Sequence, residues 1–226
     1  MVVDIPELFS REEVRQMRAL LESAAWTDGR TTAGHRAARV KDNEQLAASD
    51  PLAQKLGQQV LERLGQTPLF IAAALPARVL PPRFSRYAGA GQYGDHVDNA
   101  IFPMPGTGEH LRSDISATLF LSDPDEYDGG ELVIADTFGT HSAKPAAGHL
   151  IVYPGSSLHR VAPVTRGVRY AAFFWTQSFV PSPERRRLLF DLDGAIQSLA
   201  GDHPEHGSVD TFTQIYHNLL RQWSQT

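Results

Sequence analysis

The sequence predicts a mainly β protein, in which an antiparallel sandwich or barrel is flanked in the chain by helices at both ends. Short β-prone runs recur between Gly, Pro and Asp positions from residue 69 to residue 179. Helical periodicity is confined to the segments before and after this stretch. Residues 169–175 are apolar on both faces, which predicts a central strand in a sheet whose outer face is covered by helices.

Two helices are predicted before the β-rich part. The first begins with a capping box, in which Ser10 and Glu13 satisfy each other's backbone amides, and continues as an apolar stripe over 14–21. The second begins at Asp50 and Pro51, which are favourable residues for the N-cap and the first turn of a helix.

Seven runs are expected to form strands, at 69–75, 77–87, 115–121, 131–135, 149–153, 158–164 and 168–179. No helical period of useful length separates the runs after residue 87. Their succession therefore favours antiparallel pairing over parallel strand–helix–strand units.

The chain becomes helical again after residue 181, with helices predicted at 184–199 and 209–223. The basic run Arg185–Arg187 is expected to face solvent. The apolar stripe of the last helix packs either on the core or on a second subunit, so a homodimer through the C-terminal helices is one expectation. These patterns divide the chain into N-terminal helices with a supporting strand (1–76), a β-core (77–180) and a C-terminal helical segment (181–226).

Composition excludes several classes of protein. The 226 residues include 26 acidic and 21 basic ones and have a net charge of −5, so no nucleic-acid partner is expected. Without cysteine there is no disulfide, thiolate nucleophile or iron–sulfur cluster. The longest apolar run is too short for a membrane helix, and the first residues lack the pattern of a signal peptide. These features predict a cytoplasmic protein without a membrane partner.

His96 and Asp98 are the first candidate metal ligands. Residues i and i+2 at the end of a strand point the same way, so one metal could contact both side chains. The pattern alone is weak evidence, because nine histidines and 26 acidic residues produce about one such pair by chance. A glycine-rich stretch before it allows a ligand to approach the backbone closely. A second copy, His203 and Glu205, lies in a Pro/Gly-rich loop and is interpreted as solvated surface.

His159 is the third candidate ligand and opens a predicted strand 61 residues after Asp98. Two histidines and one carboxylate form the facial triad of non-haem Fe(II) oxygenases, which leaves three coordination positions open. Zinc with the same ligands is the alternative, and it would keep one open position for water.

Arg169 begins the apolar central strand, where an unpaired guanidinium would be very unfavourable. It therefore needs an anion, either an internal acid such as Asp114 or Glu131, or a bound carboxylate held by its planar fork. A ligand that chelates Fe(II) through a 2-oxo acid group and offers a distal carboxylate is 2-oxoglutarate. Arg169 thus favours iron with 2-oxoglutarate over zinc.

Four stretches, 96–100, 119–122, 127–132 and 153–161, carry a family resemblance. In them the sequence resembles the Fe(II)- and 2-oxoglutarate-dependent dioxygenases, and closely the PKHD-type hydroxylases of bacteria. The resemblance implies a double-stranded β-helix, a jelly-roll or cupin-like core, with Fe(II) at its open end. It also implies O2 as a second cosubstrate.

The same resemblance extends to two tyrosines and to the reaction. Tyr87 is positioned like a family tyrosine that touches 2-oxoglutarate, and Tyr93 matches the Tyr-x-x-His-x-Asp arrangement of prolyl hydroxylases. The implied activity is hydroxylation of a C–H bond with release of succinate and CO2. The implied substrate is a prolyl or lysyl residue, or a small siderophore-related molecule linked to iron uptake. L-ascorbate is an implied cofactor.

Two other functions fit the same residues. A zinc hydrolase on a cupin-like barrel would need a general base beside the metal and would have no use for Arg169. A non-catalytic sensor module would bind iron and 2-oxoglutarate without turnover. The other histidines lack a carboxylate two residues on and are interpreted as surface or core residues, namely His35, His110, His141, His149, His206 and His217.

Overall fold

A computed structural model describes residues 1–32, 37–136 and 139–226 of the chain. His35 lies outside these ranges, so its interpretation stays a prediction. The described α-helices are α1 (Arg11–Glu22), α2 (Pro51–Gly65), α3 (Pro68–Ala74), α4 (Pro183–Asp202) and α5 (Ser208–Trp223). Strands β1 to β17 are, in chain order, Val3–Ile5, Thr27–Asp28, Lys41–Asp42, Glu44–Gln45, Pro76–Val79, Arg83–Tyr87, Gln92–His96, Ile101–Pro103, His110–Arg112, Ile115–Phe120, Tyr127–Gly129, Leu132–Asp136, Gly139–Ala143, Leu150–Pro154, His159–Val161, Val164–Gly167 and Arg169–Ser178.

Two antiparallel sheets face each other and enclose a cleft. The eight-stranded sheet has the order β1-β14-β10-β17-β6-β4-β2, with β5 paired to the end of β17. The five-stranded sheet has the order β13-β12-β15-β7-β3. Apolar side chains of both sheets meet at one end of the cleft, where Leu132 and Ile134 pack with Phe120, Ile151 and Tyr153. The predicted antiparallel sandwich or barrel is therefore confirmed.

Strand β17 is the central strand that its two apolar faces predict. It pairs with β10 on one side and with β6 and β5 on the other. Tyr170, Ala172 and Phe174 pack into the core beneath helices α1 to α3. Arg169 and the other odd-numbered residues up to 175 line the cleft. One strand thus joins the helix-covered core to the cleft.

The N-terminal helices begin where the capping patterns predict. The Ser10 hydroxyl accepts from the backbone amide of Glu13, whose carboxylate accepts from the backbone amide of Ser10 at 2.8 Å. The Asp50 carboxylate accepts from the amide of Leu52 at 2.8 Å. Both helices bury their apolar stripes in the core shared with the eight-stranded sheet.

Residues 69–75 are not a strand, and this part of the sequence-based prediction is wrong. The segment is helix α3, which starts with Pro68 in its first turn. Phe70, Ala73 and Ala74 lie on one buried face, with the i, i+3, i+4 spacing of a helix. A short apolar run has no periodicity of its own that separates a buried helix from a buried strand. The N-terminal segment accordingly holds a third helix in place of its expected supporting strand.

Other expected strands are interrupted by turns. The run 77–87 is divided into β5 and β6 by Pro81 and Pro82, since proline lacks the amide that a sheet ladder needs. Within the run 158–164, only residues 159–161 form a strand, which is β15. Residue 164 begins the next strand, β16, which pairs with β11. Nine of the described strands lie outside the predicted runs, namely β1, β2, β3, β4, β7, β8, β9, β11 and β13.

The C-terminal helices α4 and α5 pack on the end of the core. Tyr216, Leu219, Leu220 and Trp223 of α5 contact a buried cluster of Leu75, Val180 and Leu189. In the basic run at the start of α4, Arg186 does not face solvent, because its guanidinium donates to the carbonyls of Val180, Pro181 and Asp114. The expected segment boundaries at 76 and 180 stay predictions. Among the described residues, no helix has the length and apolar character needed to cross a membrane.

Candidate metal centre

Three predicted ligands converge in the cleft. His96 ends β7, Asp98 follows two residues later, and His159 begins β15. Antiparallel pairing places the Cα atoms of His96 and His159 opposite each other. One ligand atom from each of the three residues lies within 4.8 Å of the other two, and no other cluster with this chemistry occurs among the described residues.

Both imidazoles are held in the tautomer that a metal requires. Nδ1 of His96 lies 2.8 Å from the carbonyl of Gly94, and Nδ1 of His159 lies 3.1 Å from the carbonyl of Ser157. A carbonyl only accepts, so each Nδ1 carries the proton and each Nε2 keeps its lone pair. These Nε2 atoms lie 3.8 and 3.7 Å from the carboxylate oxygens of Asp98. Two imidazole nitrogens and one carboxylate suit a divalent first-row metal.

Burial keeps the first histidine neutral. Removal from solvent lowers the pKa of His96 to about 4, and the neighbouring His159 acts in the same direction. The Tyr93 ring stacks on the His96 imidazole with 3.5 Å between ring centroids, and the Tyr153 ring meets His159 edge-on at 5.0 Å. The structure therefore places Tyr93 against a candidate metal ligand.

Ser116 is a site residue that the sequence analysis missed. Its hydroxyl donates to the Asp98 carboxylate at 2.6 Å and so orients that carboxylate. Strand β10 reads Ile-Ser-Ala-Thr-Leu-Phe and is buried along its whole length. Two hydroxyl residues alternating in a buried apolar strand are the signal that could have indicated a polar inner face.

Arg169 is buried without an anion. Its side chain is among the largest fully buried ones, and the residue is 1% exposed. Its guanidinium carbon lies 5.3 Å from the Tyr87 ring centroid and 4.8 Å from that of Phe120. In the described part of the chain, Nε and Nη2 have no hydrogen-bond partner. Such an arginine requires an anionic ligand.

The internal acids considered as partners of Arg169 are paired elsewhere. Asp114 binds Arg112 at 2.6 Å, and Glu131 lies 4.0 Å from the Lys144 ammonium. The residues outside the described ranges include no Asp or Glu. The structure thus favours a bound carboxylate over an internal ion pair.

Two buried tyrosines flank this arginine. Tyr87 is the cross-strand neighbour of Arg169, and burial raises the pKa of its hydroxyl. Tyr127, which the sequence analysis did not single out, is fully buried and its hydroxyl has no hydrogen-bond partner in the described part of the chain. Gly130 makes this packing possible, since a Cβ there would lie 2.8 Å from the Tyr127 ring and 3.0 Å from Cδ of Arg169.

The cleft between the sheets contains about 780 Å³ of space, including that at its mouth. Lys41 and Arg83 line it and were also missed, because neither belongs to a recognised motif. Burial and the nearby Arg83 lower the pKa of Lys41 to about 8.

Among the described residues, the histidines set aside in the sequence analysis are not brought to the cleft. His203 and Glu205 are both exposed, as expected for a solvated loop. His149 contacts Asp4 at 3.2 Å on the far edge of the eight-stranded sheet. His110, His141, His206 and His217 are exposed.

Comparison with known proteins identifies the family. The model of the 2OG-Fe(II) oxygenase superfamily matches residues 82–177, and that of the PKHD-type hydroxylase C-terminal domain matches residues 184–225. A PKHD-type hydroxylase of Parvibaculum lavamentivorans is 58% identical over 226 residues, covering 100% of both chains. One from Bordetella pertussis is 53% identical over 224 residues, covering 99% of both.

Solved structures share the fold at low sequence identity. A Pseudomonas putida prolyl-4-hydroxylase is 19% identical with a TM-score of 0.53, covering 78% of this chain and 92% of its own. HygX from Streptomyces hygroscopicus, solved with nickel and 2-oxoglutarate, is 16% identical with a TM-score of 0.53, covering 79% and 84%. The predicted jelly-roll core is confirmed. The chain belongs to the PKHD-type hydroxylases of the 2OG-Fe(II) oxygenase superfamily, and it is a 2-oxoglutarate-dependent dioxygenase whose cofactor is Fe(II).

Proposed function

We propose that His96, Asp98 and His159 bind Fe(II) and that Arg169 binds the distal carboxylate of 2-oxoglutarate. The observation that carries this assignment is the buried guanidinium of Arg169, which lacks an anion and lines the same cleft as the triad. A zinc hydrolase would have no use for this arginine. The unpartnered hydroxyl of Tyr127 and the buried Tyr87 lie where they can add contacts to the same carboxylate.

The reaction that this arrangement serves is hydroxylation of a C–H bond, with succinate and CO2 as coproducts. When bound, iron, 2-oxoglutarate and O2 supply the oxidising chemistry. His96, Asp98 and His159 would hold the metal, and the coordination positions that these three ligands leave open would be available to 2-oxoglutarate and O2. Carbonyls of Gly94 and Ser157 fix the imidazoles, and Ser116 fixes the carboxylate.

The substrate is proposed to be a small molecule or a peptidyl residue. Structural neighbours include a Trichoplax adhaerens prolyl hydroxylase in complex with a peptide fragment and HygX with hygromycin B bound. Both kinds of ligand occur on this fold, so fold similarity does not choose between them. The link to iron uptake rests on the resemblance to the PKHD-type group.

The test separates metal binding, cosubstrate binding and turnover. Anaerobic calorimetry with Fe(II) or Mn(II), followed by 2-oxoglutarate, should show one metal and one cosubstrate per chain. Arg169→Ala should leave metal affinity nearly unchanged and weaken 2-oxoglutarate binding roughly 30- to 4,000-fold, since losing one partner of a buried charge pair costs about 2–5 kcal/mol. Arg169→Lys should recover part of this loss. Normal 2-oxoglutarate binding by an Arg169→Ala variant would remove the cosubstrate assignment.

Matched variants control for the choice of ligands. Asp98→Ala should abolish tight metal binding, whereas His203→Ala in the spare motif should keep full metal stoichiometry. Release of succinate coupled to O2 uptake identifies an enzyme, and its absence under every substrate tried would favour the sensor module. A lost metal equivalent in His203→Ala would show that the wrong His-x-acid pair had been chosen.

We also propose that the C-terminal helices form a homodimer contact. Phe212 and Ile215 lie one turn apart on α5 and are 39% and 43% exposed, and Leu188 on α4 is 58% exposed. Light scattering should give a dimer mass for the protein and a monomer mass for Ile215→Asp with an unchanged melting temperature. A monomer mass for the unmodified chain would contradict the contact.

A further inference from the structure

A second arginine in the cleft has no anionic partner among the described residues. Arg83 on β6 is the cross-strand neighbour of Phe173, which lies four residues beyond Arg169 on β17. At about 3.3 Å per residue, the two arginines are about 13 Å apart along the sheet. The distal carboxylate of 2-oxoglutarate is assigned to Arg169, so it is not available to bind Arg83.

The surroundings of Arg83 differ from those of its neighbour on the same strand. Arg86 points to the outer face and binds the Glu44 carboxylate at 2.6 and 3.1 Å. Arg83 points into the cleft with its guanidinium carbon 5.8 Å from the Trp175 ring centroid. No carboxylate in the described chain lies within ion-pairing distance of it, and burial lowers its pKa. The described chain thus pairs Arg86 with a carboxylate and provides none for Arg83.

The charges of the cleft point in the same direction. Its lining contains the cations Lys41, Arg83 and Arg169 and a single acidic residue, Asp98. Fe(II) and the 2-oxoglutarate dianion balance each other, so neither adds a negative charge for Arg83. Nζ of Lys41 lies 5.9 Å from the ring centroid of Phe173, the cross-strand neighbour of Arg83, and 5.1 Å from that of Tyr93, which stacks on His96. Lys41 therefore lies between the metal centre and the part of the cleft that Arg83 lines.

We propose that Arg83, with Lys41 beside it, binds a carboxylate of the primary substrate and thereby selects substrates that carry such a group. This inference rests on the proposed function, because it requires the metal and 2-oxoglutarate to occupy the remainder of the cleft. The planar guanidinium can hold a carboxylate through two parallel hydrogen bonds, which gives orientation as well as affinity. A substrate held there at one end would present its other end towards the metal.

Matched neutral and anionic probes test this directly. The protein is first loaded with Mn(II) and saturating 2-oxoglutarate, and calorimetry verifies both. Benzoate and benzamide, which share size and shape and differ in charge, are then titrated. Broadening of the probe's proton NMR lines by Mn(II) reports binding near the metal without turnover. We expect benzoate to bind at least ~10-fold more tightly than benzamide, as charged hydrogen bonds do relative to neutral ones.

Variants assign the preference to Arg83. Arg83→Gln should remove most of the preference for benzoate, and Arg83→Lys should retain part of it. Arg86→Gln makes the same change of charge on the outer face of the same strand and should keep the preference. The affinity for 2-oxoglutarate should change less than about threefold in Arg83→Gln, whereas it should fall strongly in Arg169→Ala. Melting temperatures of all variants show that the fold is retained.

Several results would overturn the inference. These are an absence of line broadening by millimolar benzoate, equal affinity for the two probes, or an unchanged preference in Arg83→Gln. A loss of 2-oxoglutarate binding in Arg83→Gln would assign the residue to the cosubstrate site instead. Failure of the wild-type protein to bind metal or 2-oxoglutarate in the first step would instead contradict the proposed function itself.

A carboxylate can belong to a small organic acid or to an acidic side chain of a peptide. The blocked tripeptides acetyl-Gly-Asp-Gly-amide and acetyl-Gly-Asn-Gly-amide repeat the comparison for a peptide. Preference for the aspartyl over the asparaginyl peptide indicates a peptidyl source. Preference confined to benzoate indicates a small acid. Either preference, if lost in Arg83→Gln, supports the proposal.

Discussion

Each histidine of the candidate metal centre donates to a carbonyl only two residues before it in the chain. The local backbone alone thus orients Nε2, before any other side chain is placed. The carboxylate differs, because Asp98 depends on Ser116, a residue 18 positions away on the opposite sheet. The orientation of the Asp98 carboxylate therefore depends on how the two sheets pack against each other.

Ser116→Ala should weaken metal binding while leaving the fold intact. The variant removes the 2.6 Å hydrogen bond that orients the Asp98 carboxylate. Loss of such outer contacts lowers metal affinity by about 10- to 100-fold. Competition with a chelator of known affinity measures the change. The control is Ser85→Ala, a buried cleft serine whose hydroxyl contacts the Ala171 carbonyl at 3.5 Å and not Asp98. Equal losses in both variants would contradict the role of Ser116.

At the scale of single elements, the stability contributed by the interactions at the start of α1 should depend on pH. Hydrogen bonding to Arg63, together with the capping box, lowers the pKa of Glu13 from 4.5 to about 2. The ionised form is thus favoured in the folded chain. Its stabilisation is fully present above about pH 4.5 and is lost as the pH falls through about 2.

Glu13→Gln should therefore destabilise the protein at pH 7 and much less near pH 2. The expected loss is about 0.5–1 kcal/mol, since the Glu13 side chain is partly exposed and screened by solvent. Urea unfolding of both proteins across this pH range measures the difference. Glu62→Gln, an exposed glutamate of α2, is the control. A difference that stays constant down to pH 2 would contradict the assignment to Glu13.

The turn between β11 and β12 depends on glycine for two separate reasons. Gly129 has a φ of +73°, and a Cβ there would lie 1.9 Å from the Pro163 carbonyl oxygen. Gly89 has a φ of +57° and open space around it. We expect Gly89→Ala to lose about 1 kcal/mol from backbone strain alone. Gly129→Ala should lose at least twice as much and should also weaken 2-oxoglutarate binding, because β11 carries Tyr127. Thermal unfolding and calorimetry measure both, and similar losses in the two variants would contradict the close approach.

At the scale of the whole molecule, ligand binding and stability are linked. Ligands that bind only the folded chain stabilise it by about 2.7 kcal/mol at 100 times their dissociation constant. For a chain of this size, Mn(II) with 2-oxoglutarate should raise the melting temperature by roughly 5–10 °C. A chelator should reverse the rise. Asp98→Ala should melt near the metal-free wild type and show no rise, and a full rise in that variant would contradict the triad.

Much of the site could be predicted because its signals are local in the chain. The spacing of His96 and Asp98, the strand that His159 opens and an arginine entering an apolar strand each follow from short-range sequence. The capping residues of α1 and α2 are equally local. The fold class followed from the alternation of short strands with turn residues.

Only the tertiary structure decided which distant residues meet. Strand pairings between segments far apart in the chain bring three residues to one cleft, namely Ser116, Lys41 and Arg83. Helix α3 was predicted as a strand for a related reason. Its short apolar run is compatible with a helix or a strand, and only the packing of Phe70 into the core decides for the helix. The sequence by itself therefore determined the candidate metal ligands and the cosubstrate, whereas the pairing of two sheets determined the charge and shape of the cleft.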